Sequence, residues 1–292
     1  MLLAGTPTTA ELSCYQSGLN HLNHLNRLNR LNRLNPLNPF TMFHPYLAAA
    51  LLIVAYMILW FFLAVAKKDN GIVDVAWGIG FVLVFWSQHY LFDRPLLMGI
   101  MVTLLGFRLA VHIFLRNRGR GEDWRYRQWR EAWGRHVLVR SFLQVFMLQG
   151  FFMWVIALPL MEGHQAAGPM HWTQWTGMCV WAFGFAWEAI GDWQLLRFKS
   201  NPANKGKIMT TGLWHFSRHP NYFGEIVLWW GIFIFTLPYG TWWLNIIGPL
   251  TLTWLLLRVS GVPMLERKYA NDPIYQAYIH TTNALLPGPK RK

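Results

Sequence analysis

Cysteine is almost absent from this sequence, and charged side chains are scarce. Only two cysteines occur in 292 residues, so the chain carries neither a disulfide framework nor a cysteine-based metal site. Its His, Asp and Glu residues show none of the paired spacings of metal-binding motifs, so no metal cofactor is expected. Charged residues make up 13% of the chain, about half the share found in soluble globular domains. The composition therefore excludes an ordinary soluble fold.

Apolar residues dominate instead. They make up 54% of the chain, which also contains 18 tryptophans. They gather into segments close to the ~20 residues that cross a bilayer core. The sequence predicts an all-α integral membrane protein of about seven transmembrane helices, the last two forming a hairpin through residues 238–241. The predicted spans lie near residues 45–66, 72–91, 96–115, 141–160, 172–191, 222–238 and 241–260.

Lys and Arg are unevenly distributed between these spans. The net charge of +13 comes mainly from the links after the first, third and fifth spans and from the C-terminal tail. Because cytoplasmic loops of membrane proteins carry the excess of Lys and Arg, the N-terminus is predicted outside and the C-terminus in the cytoplasm. The expected partner is therefore the lipid bilayer, and nucleic acid is not expected.

The first 41 residues differ from the rest. From Asn20 to Asn38 a Leu-Asn pair returns every three residues, a period that fits neither a helix nor a strand. Such a low-complexity segment is predicted to be disordered. An alternative is that it does not belong to the native chain, which would then begin at Met42. Residues 42–292 form the predicted membrane domain.

Ionisable side chains interrupt the predicted spans, where they are costly and usually functional. With the orientation above, all of them fall in the cytoplasmic half of the membrane. We expect them to line a polar cavity that opens to the cytosol. The alternative is that they only pair with one another and hold the helices together. They are Asp74, Arg108, His112, Glu188, Asp192, Glu225 and Arg258.

The polar stretch Gly212–Glu225 reads GLWHFSRHPNYFGE and lies between two apolar segments. Its proline disfavours helix at the residue before it, so we expect a turn, then Asn221 as N-cap and a helix from Tyr222. Arg218 and His219 would lie beside that helix N-terminus, which favours an anion. The stretch therefore indicates a site for an anionic cofactor. The alternative is a membrane-surface loop with aromatic and cationic anchors.

The link Arg116–Arg130 reads RNRGRGEDWRYRQWR. Arginine forks bind phosphates, and the Trp and Tyr side chains of this link are suited to stacking on a base. No GxGxxG follows a predicted strand, so a nucleotide here would not be held by a Rossmann fold. The alternative is a positively charged cytoplasmic loop without a ligand.

Three stretches together resemble the membrane-embedded steroid 5α-reductase superfamily: NRGR at Asn117–Arg120, the polar link Asp192–Lys207, and TGLWHFSRHPNYFGE at Thr211–Glu225. The closer match is its bacterial DUF1295-type branch, which IVDVAWG at Ile72–Gly78 and GRGEDWRY at Gly119–Tyr126 resemble. The resemblance covers roughly residue 45 to the end. RHPNYFGE is also similar to stretches of isoprenylcysteine and phospholipid methyltransferases. A membrane methyltransferase using S-adenosylmethionine is therefore the alternative, and a lipid-binding scaffold is the non-enzymatic one.

The resemblance implies a seven-helix fold with NADPH in a cytosol-facing cavity, and a place in the bacterial inner membrane. The implied reaction reduces the C=C bond of a lipophilic α,β-unsaturated ketone, such as a 3-oxo-Δ4 steroid, by hydride transfer and protonation. The implied catalytic residues are Asp74 and Tyr222, with Asp74 donating to the ketone as an acid that its apolar span keeps protonated. The family's Gln-Glu pair on span 2 is Val73-Asp74 here, and its span-3 tyrosine has no counterpart. Together with the patterns above, the candidate cofactor contacts are Arg108, Arg116, Arg120, Glu188, Asp192, Lys199, Lys207, Arg218, His219, Asn221, Tyr222, Glu225 and Arg258.

Overall fold

A computed structural model describes residues 39–119, 121–164 and 168–291, with side chains from Pro45 onward except that of Lys268. Within these residues the chain is helical and has no strand. The predicted disorder of the N-terminal segment falls outside them, apart from residues 39–41, which already belong to the first helix. The candidate cofactor contact Arg120 also lies outside the described residues. Residues Ala48–Lys292 form one compact unit.

Long helices alternate with short connections along the chain. Two π-helical segments, Ser141–Met147 and Leu255–Val259, join or extend helices, and short 3-10 turns lie at Gly134–His136, Leu158–Met161, Pro202–Asn204, Gly212–His215 and Leu237–Tyr239. The α-helices in chain order are α1 Pro39–Lys67, α2 Ile72–Phe92, α3 Leu96–Asn117, α4 Trp124–Trp133, α5 Val137–Arg140, α6 Leu148–Ile156, α7 Trp172–Ser200, α8 Pro220–Thr236, α9 Trp242–Asn245, α10 Ile247–Trp254, α11 Val262–Lys268 and α12 Pro273–Thr281.

Six helical runs in the described part of the chain are long and apolar enough to cross a membrane, which is consistent with a multi-pass membrane protein. The predicted fifth span, residues 172–191, forms α7 with 29 residues but does not meet the same criterion of apolarity. Its Trp, Gln, Thr and acidic residues lower its hydropathy, so the structure supports six of the seven predicted spans. The six runs are Pro45–Lys67, Ile72–Phe92, Leu96–Asn117, Trp124–Ile156, Pro220–Tyr239 and Trp242–Arg267.

The predicted start of α8 is wrong by two residues. The helix begins at Pro220 rather than Tyr222, and His219 rather than Asn221 takes the N-cap position. Proline suits the first helical position, because the N–H that it lacks has no partner there in any helix. Asn221 therefore lies inside the first turn, where it is half-buried and is not the N-cap.

The fourth run begins at Trp124, well before the predicted span at residues 141–160. Asp123 starts it, because its carboxylate accepts the backbone N–H of Arg125 at 3.0 Å and so caps α4. The second half of the arginine-rich link is consequently a helix rather than an open loop.

The hairpin predicted for the last two spans is confirmed. Its turn contains Gly240 with a φ of 86°, a conformation that favours glycine. Across the hairpin, the indole N–H of Trp230 donates to the hydroxyl of Thr253 at 3.3 Å. This bond connects α8 to α10 within the apolar part of the chain.

Glycines hold α7 and α8 in backbone contact. A Cβ atom added at Gly184 would lie 2.5 Å from a backbone nitrogen of α8, and one at Gly231 would lie 2.5 Å from a backbone nitrogen of α7. At Gly224 an added Cβ would lie 2.5 Å from the backbone nitrogen of Glu188. Small residues permit this close approach between membrane helices. The contact fixes which turn of α8 lies beside Glu188 on α7, and it therefore positions the site described below.

Candidate functional site

Five ionisable side chains from three helices meet near the end of α7, and we call them the Arg108 cluster. Arg108 Nη1 donates to Asp192 Oδ2 at 2.9 Å, and Nη2 donates to Glu188 Oε1. Both carboxylates are buried, with 6% and 2% of their surface exposed. His112 Nε2 lies 3.8 Å from Asp192 Oδ2, and Glu225 interacts electrostatically with Arg108. The ion pairs thus join α3 to α7. This is compatible with both predictions from the sequence, a polar cavity and pairing that only holds the helices together.

Two buried polar atoms of the Arg108 cluster lack a hydrogen-bond partner among the described residues. They are Arg108 Nε and Glu188 Oε2. An unpaired buried polar atom costs about 1–3 kcal/mol, and in native proteins it often marks the place of an ordered water or ligand. The cluster therefore retains one spare donor and one spare acceptor, and pairing between helices alone does not account for it.

Asp74 lies at the centre of a second polar group, on the first turn of α2. Its Oδ2 accepts a hydrogen bond from Arg125 Nη2 at 2.9 Å, and its Oδ1 accepts one from the phenol of Tyr126 at 2.6 Å. Gln149 Nε2 donates to the same phenol oxygen at 3.3 Å. Both Asp74 oxygens thus have hydrogen-bond partners within the protein, and one of them pairs with a guanidinium. This arrangement favours an accepting carboxylate, whereas the sequence analysis expected a protonated acid that donates to a ketone.

Arg125 is held on its other side by Asp123. The Arg125 Nε donates to Asp123 Oδ1 at 2.9 Å. Burial alone would raise the pKa of the Asp123 carboxyl, but the hydrogen bonds from the side chain and backbone of Arg125 outweigh it and lower the pKa. The remaining nitrogen, Nη1, has only a long contact of 3.9 Å to Met264 Sδ. A neutral thioether is a weak acceptor, so this end of the guanidinium can still donate to an anionic oxygen.

The acidic residue Glu122 fastens the loop that carries this group. Its Oε1 accepts the backbone N–H of Asn70 at 2.8 Å, and its carboxylate accepts two bonds from Arg130 at 2.9 and 3.0 Å. The amide of Asn70 donates in turn to Ser141 Oγ at 2.9 Å. These bonds hold the α1–α2 connection against the start of the fourth run. The acidic residues of the link thus pair with its own arginines.

Tyr222 lies between the two polar groups. It interacts electrostatically with Arg116 and Arg125 on one side and with Asp192 and Glu225 on the other. Its hydroxyl has no hydrogen-bond partner in the described parts of the chain, and it is not among the atoms that are fully enclosed. A phenol in this position is open to a ligand that contacts both groups.

Arg218 and His219 have a different environment from the one expected. Arg218 donates to Glu266 Oε1 from Nε at 2.9 Å, and its Nη1 donates to the carbonyl oxygens of Ile279 and Thr282. His219 Nε2 lies 3.2 Å from the same Glu266 oxygen. These partners occupy donors that the sequence analysis assigned to an anionic cofactor. The pair instead fastens the start of α8 to the C-terminal segment.

The other candidate cofactor contacts are spread over the described surface. Arg116 is half-buried and its Nε donates to its neighbour's side-chain amide oxygen at 3.2 Å. Lys199, at the end of α7, and Lys207, in the following link, are exposed. Asn221 is half-buried on α8 and lies in the same helix as Glu225 of the Arg108 cluster. Arg258 is exposed and makes no ion pair within the described residues, so it does not join the predicted convergence.

The partners of Asp74 were not predicted from the sequence. Tyr126 was expected only to stack on a base, and no contact of Arg125 or Gln149 with this group was expected. The available signal was the acidic pair Glu122 and Asp123 within the link. Asp123 is a helix N-cap, so Arg125 and Tyr126 lie on the first turn of α4. No local pattern reveals that this turn packs beside Asp74.

A family model described as "Protein of unknown function (DUF1295)" matches residues 60–282. A curated protein, "Probable O-methyltransferase ustE" of Ustilaginoidea virens, is 45% identical over 47 residues, which are 16% of this chain and 16% of that protein. The chain thus spans about a sixth of the length of that relative. No solved structure matches the chain.

Proposed function

The chain belongs to the DUF1295 family, within the steroid 5α-reductase superfamily, and from this premise we propose that it is an NADPH-dependent membrane reductase. Its substrate is an α,β-unsaturated ketone on a lipophilic molecule, a 3-oxo-Δ4 steroid or a similar lipid enone. The observation that carries the proposal is the open hydroxyl of Tyr222 between the Arg108 cluster and the Asp74 group. The two groups differ in chemistry, as a site for a cofactor and a ketone requires.

The residues present are compatible with NADPH. The spare acceptor Glu188 Oε2 suits the carboxamide or ribose donors of such a cofactor, and its burial makes an unmet acceptor costly. Arg116 and Lys207 supply positive charge for phosphates, with Lys199 and Asn221 as further contacts. When bound, NADPH supplies a hydride for the β-carbon of the enone. Arg218 and His219 are left out of this set, because Glu266 and the C-terminal segment occupy them.

Arg125 and Tyr222 carry out the remaining steps of the reaction. Addition of hydride to the β-carbon moves the π electrons of the C=C bond toward the carbonyl oxygen, so negative charge develops there. Arg125 Nη1 donates to that oxygen and stabilises the charge. The Tyr222 hydroxyl gives its proton to the α-carbon, which forms the second C–H bond and completes the saturated ketone. Tyr222 then regains a proton from solvent.

Asp74 acts through Arg125 in this scheme. A guanidinium carries several donors in a rigid fork, so fixing two of them also fixes the direction of the third. Asp74 and Asp123 fix Nη2 and Nε, and Tyr126 holds the Asp74 carboxylate. Asp74 is therefore a positioning residue in the proposal. The loops that carry these residues face the cytosol, and the lipid bilayer delivers the substrate.

A second candidate function is methyl transfer from S-adenosylmethionine to a lipid or lipidated substrate. The 47 residues shared with an O-methyltransferase favour it. The two functions differ in the cofactor that they require, so a binding measurement separates them. Detergent-purified protein is titrated with NADPH, followed by energy transfer from tryptophan to the nicotinamide, and with S-adenosylmethionine, followed by calorimetry.

A reductase binds NADPH, and the affinity falls as salt is raised, since phosphate contacts are screened. Incubation with progesterone and NADPH should then yield a product heavier by two hydrogens in mass spectrometry. Binding of S-adenosylmethionine without NADPH binding would overturn the reductase in favour of the methyltransferase. If the protein binds neither, both enzymatic functions are wrong.

A further inference from the structure

An open pocket of ≈320 Å³ lies at the end of α7, where the following link folds back on the helix. Its lining combines Arg197 with polar side chains, among them Gln194, Asn201 and Thr211. The aromatic ring of Trp193 forms part of one wall. None of these residues belongs to the Arg108 cluster or to the Asp74 group.

The pocket lies on the other side of α7 from the Arg108 cluster. Successive residues of an α-helix are rotated by about 100°. Gln194 is therefore about 200° around the helix from Asp192, and Arg197 about 140°. Because Asp192 bonds to Arg108 on α3, the pocket opens away from the Arg108 cluster. A ligand in it would not contact that cluster.

The amide groups in the pocket present donors. The side-chain oxygen of Gln194 accepts the backbone N–H of Leu213 at 2.9 Å, and that of Asn201 accepts the backbone N–H of Ala203 at 3.0 Å. These bonds determine the orientation of each amide and leave its NH₂ group without a partner in the described residues. Two amides with occupied oxygens and free N–H groups favour an acceptor, such as an anion.

Arg197 adds a positive charge without a local counterion. Its guanidinium lies 5.4 Å from the centre of the Trp193 ring, which orients it by a cation–π contact. No described carboxylate lies within ion-pairing distance of it. An arginine fork together with amide donors is the combination that binds the oxygens of a phosphate.

The surroundings of the pocket favour a phosphate that belongs to a lipid. Large apolar side chains beside it on α7 are exposed, namely Ile190, Trp193 and Leu196, with 46%, 55% and 39% of their surface accessible. Exposed apolar side chains, Trp and Arg on one helix segment are typical of the membrane–water interface, where lipid headgroups lie. We propose that this pocket binds the phosphate of an anionic phospholipid headgroup, independently of the reaction proposed above.

The test uses the purified full-length protein in a non-ionic detergent. The probe is dioctanoyl phosphatidylglycerol, and dioctanoylglycerol serves as the same lipid without phosphate. Native mass spectrometry and calorimetry measure the binding of each. We expect binding of the phosphatidylglycerol alone. Equal binding of both lipids would overturn the proposal, and so would full displacement by millimolar inorganic phosphate, which would assign the pocket to a free anion.

Three variants remove donors while they keep the fold. Gln194→Glu and Asn201→Asp retain the oxygen that accepts the backbone N–H but replace the free NH₂ with negative charge. Arg197→Gln removes the guanidinium. Each should weaken phosphatidylglycerol binding by about tenfold or more, the effect of losing one charge-assisted hydrogen bond.

The matched control is Arg267→Gln, which removes another exposed arginine, on α11. It should leave the affinity within about twofold. The proposal is wrong if all four variants bind the lipid like the wild type, or if the control loses as much affinity as Arg197→Gln. Thermal unfolding of each variant confirms that the losses do not come from misfolding.

Discussion

The phenol of Tyr126 donates a hydrogen bond of 2.6 Å to the carboxylate of Asp74, although 52 positions separate the two residues in the chain. The bond joins the arginine-rich link to the second span. It also decides the chemistry of Asp74, because a carboxylate that accepts from a phenol and from Arg125 is not free to donate to a ketone. In the proposed reaction, Arg125 rather than Asp74 stabilises the charge that develops on the substrate.

Replacement of Asp74 by Asn should lower enone reduction by about a hundredfold, since Arg125 loses the charge that orients it. NADPH affinity should change by no more than about twofold, because Asp74 is not among the proposed cofactor contacts. Initial rates by mass spectrometry and an NADPH titration measure the two effects. Glu131→Gln is the control, as Glu131 is an exposed acid on α4. Equal loss of NADPH binding and of turnover would argue against separate roles for Asp74 and for the cofactor contacts.

Replacement of Tyr222 by Phe should lower turnover by a factor of about 10² or more, the contribution of a positioned proton donor. The melting temperature should stay the same, because the hydroxyl has no partner to lose. Tyr126→Phe should behave differently, since it breaks the bonds to Asp74 and Gln149 and should cost about 1 kcal/mol of stability. Activity and thermal unfolding of both variants are compared. Full activity of Tyr222→Phe would rule out its proposed role.

Replacement of Glu266 by Gln should destabilise the protein by about 3 kcal/mol, because Arg218 is 7% exposed and loses its charged partner. NADPH affinity should change little. Thermal unfolding with and without NADPH measures both quantities. A variant with wild-type stability and weakened NADPH binding would instead place Arg218 and His219 at the cofactor, as the sequence had indicated.

Replacement of Gly224 by Ala should destabilise the protein by about 1–3 kcal/mol, because the new methyl group meets the backbone of α7. It should also impair the site, since Glu188 lies at the point of contact. Gly191→Ala is the control on α7, where an added Cβ would have its nearest neighbour at 3.4 Å. Thermal unfolding compares the two. Equal effects would contradict the glycine contact as the feature that positions the cluster.

Asp123 should make stability depend on pH. Its folded pKa lies below its ordinary value of about 3.9, so the unfolded state binds the proton more readily. The contribution of its charge is complete above the unfolded pKa and is lost as pH falls through the folded pKa. Asp123→Asn keeps the helix cap and removes the charge. The difference in melting temperature from the wild type should therefore be largest near neutral pH and shrink below about pH 4. A constant difference would contradict this account.

Several features of the fold follow from local sequence alone. Length and apolarity identify four of the six membrane-crossing runs to within about two residues, because burial in a bilayer demands an uninterrupted apolar helix. The same reasoning singled out Asp74, Arg108, Glu188 and Asp192 within the predicted spans, since charge in an apolar run stands out. It failed at Pro220 and Trp124, where capping chemistry rather than hydropathy sets the helix start.

What the sequence by itself determined is therefore the class of protein, its helices and the presence of polar residues within them. Which residues pair was decided only by the tertiary structure. Asp74 pairs with Arg125 and Tyr126, Arg218 pairs with Glu266, and Arg108 pairs with Glu188 and Asp192. These contacts span long stretches of chain and depend on the register in which helices pack. That register is set by backbone contacts at glycines, which leave no periodic pattern of charge or hydropathy in the sequence.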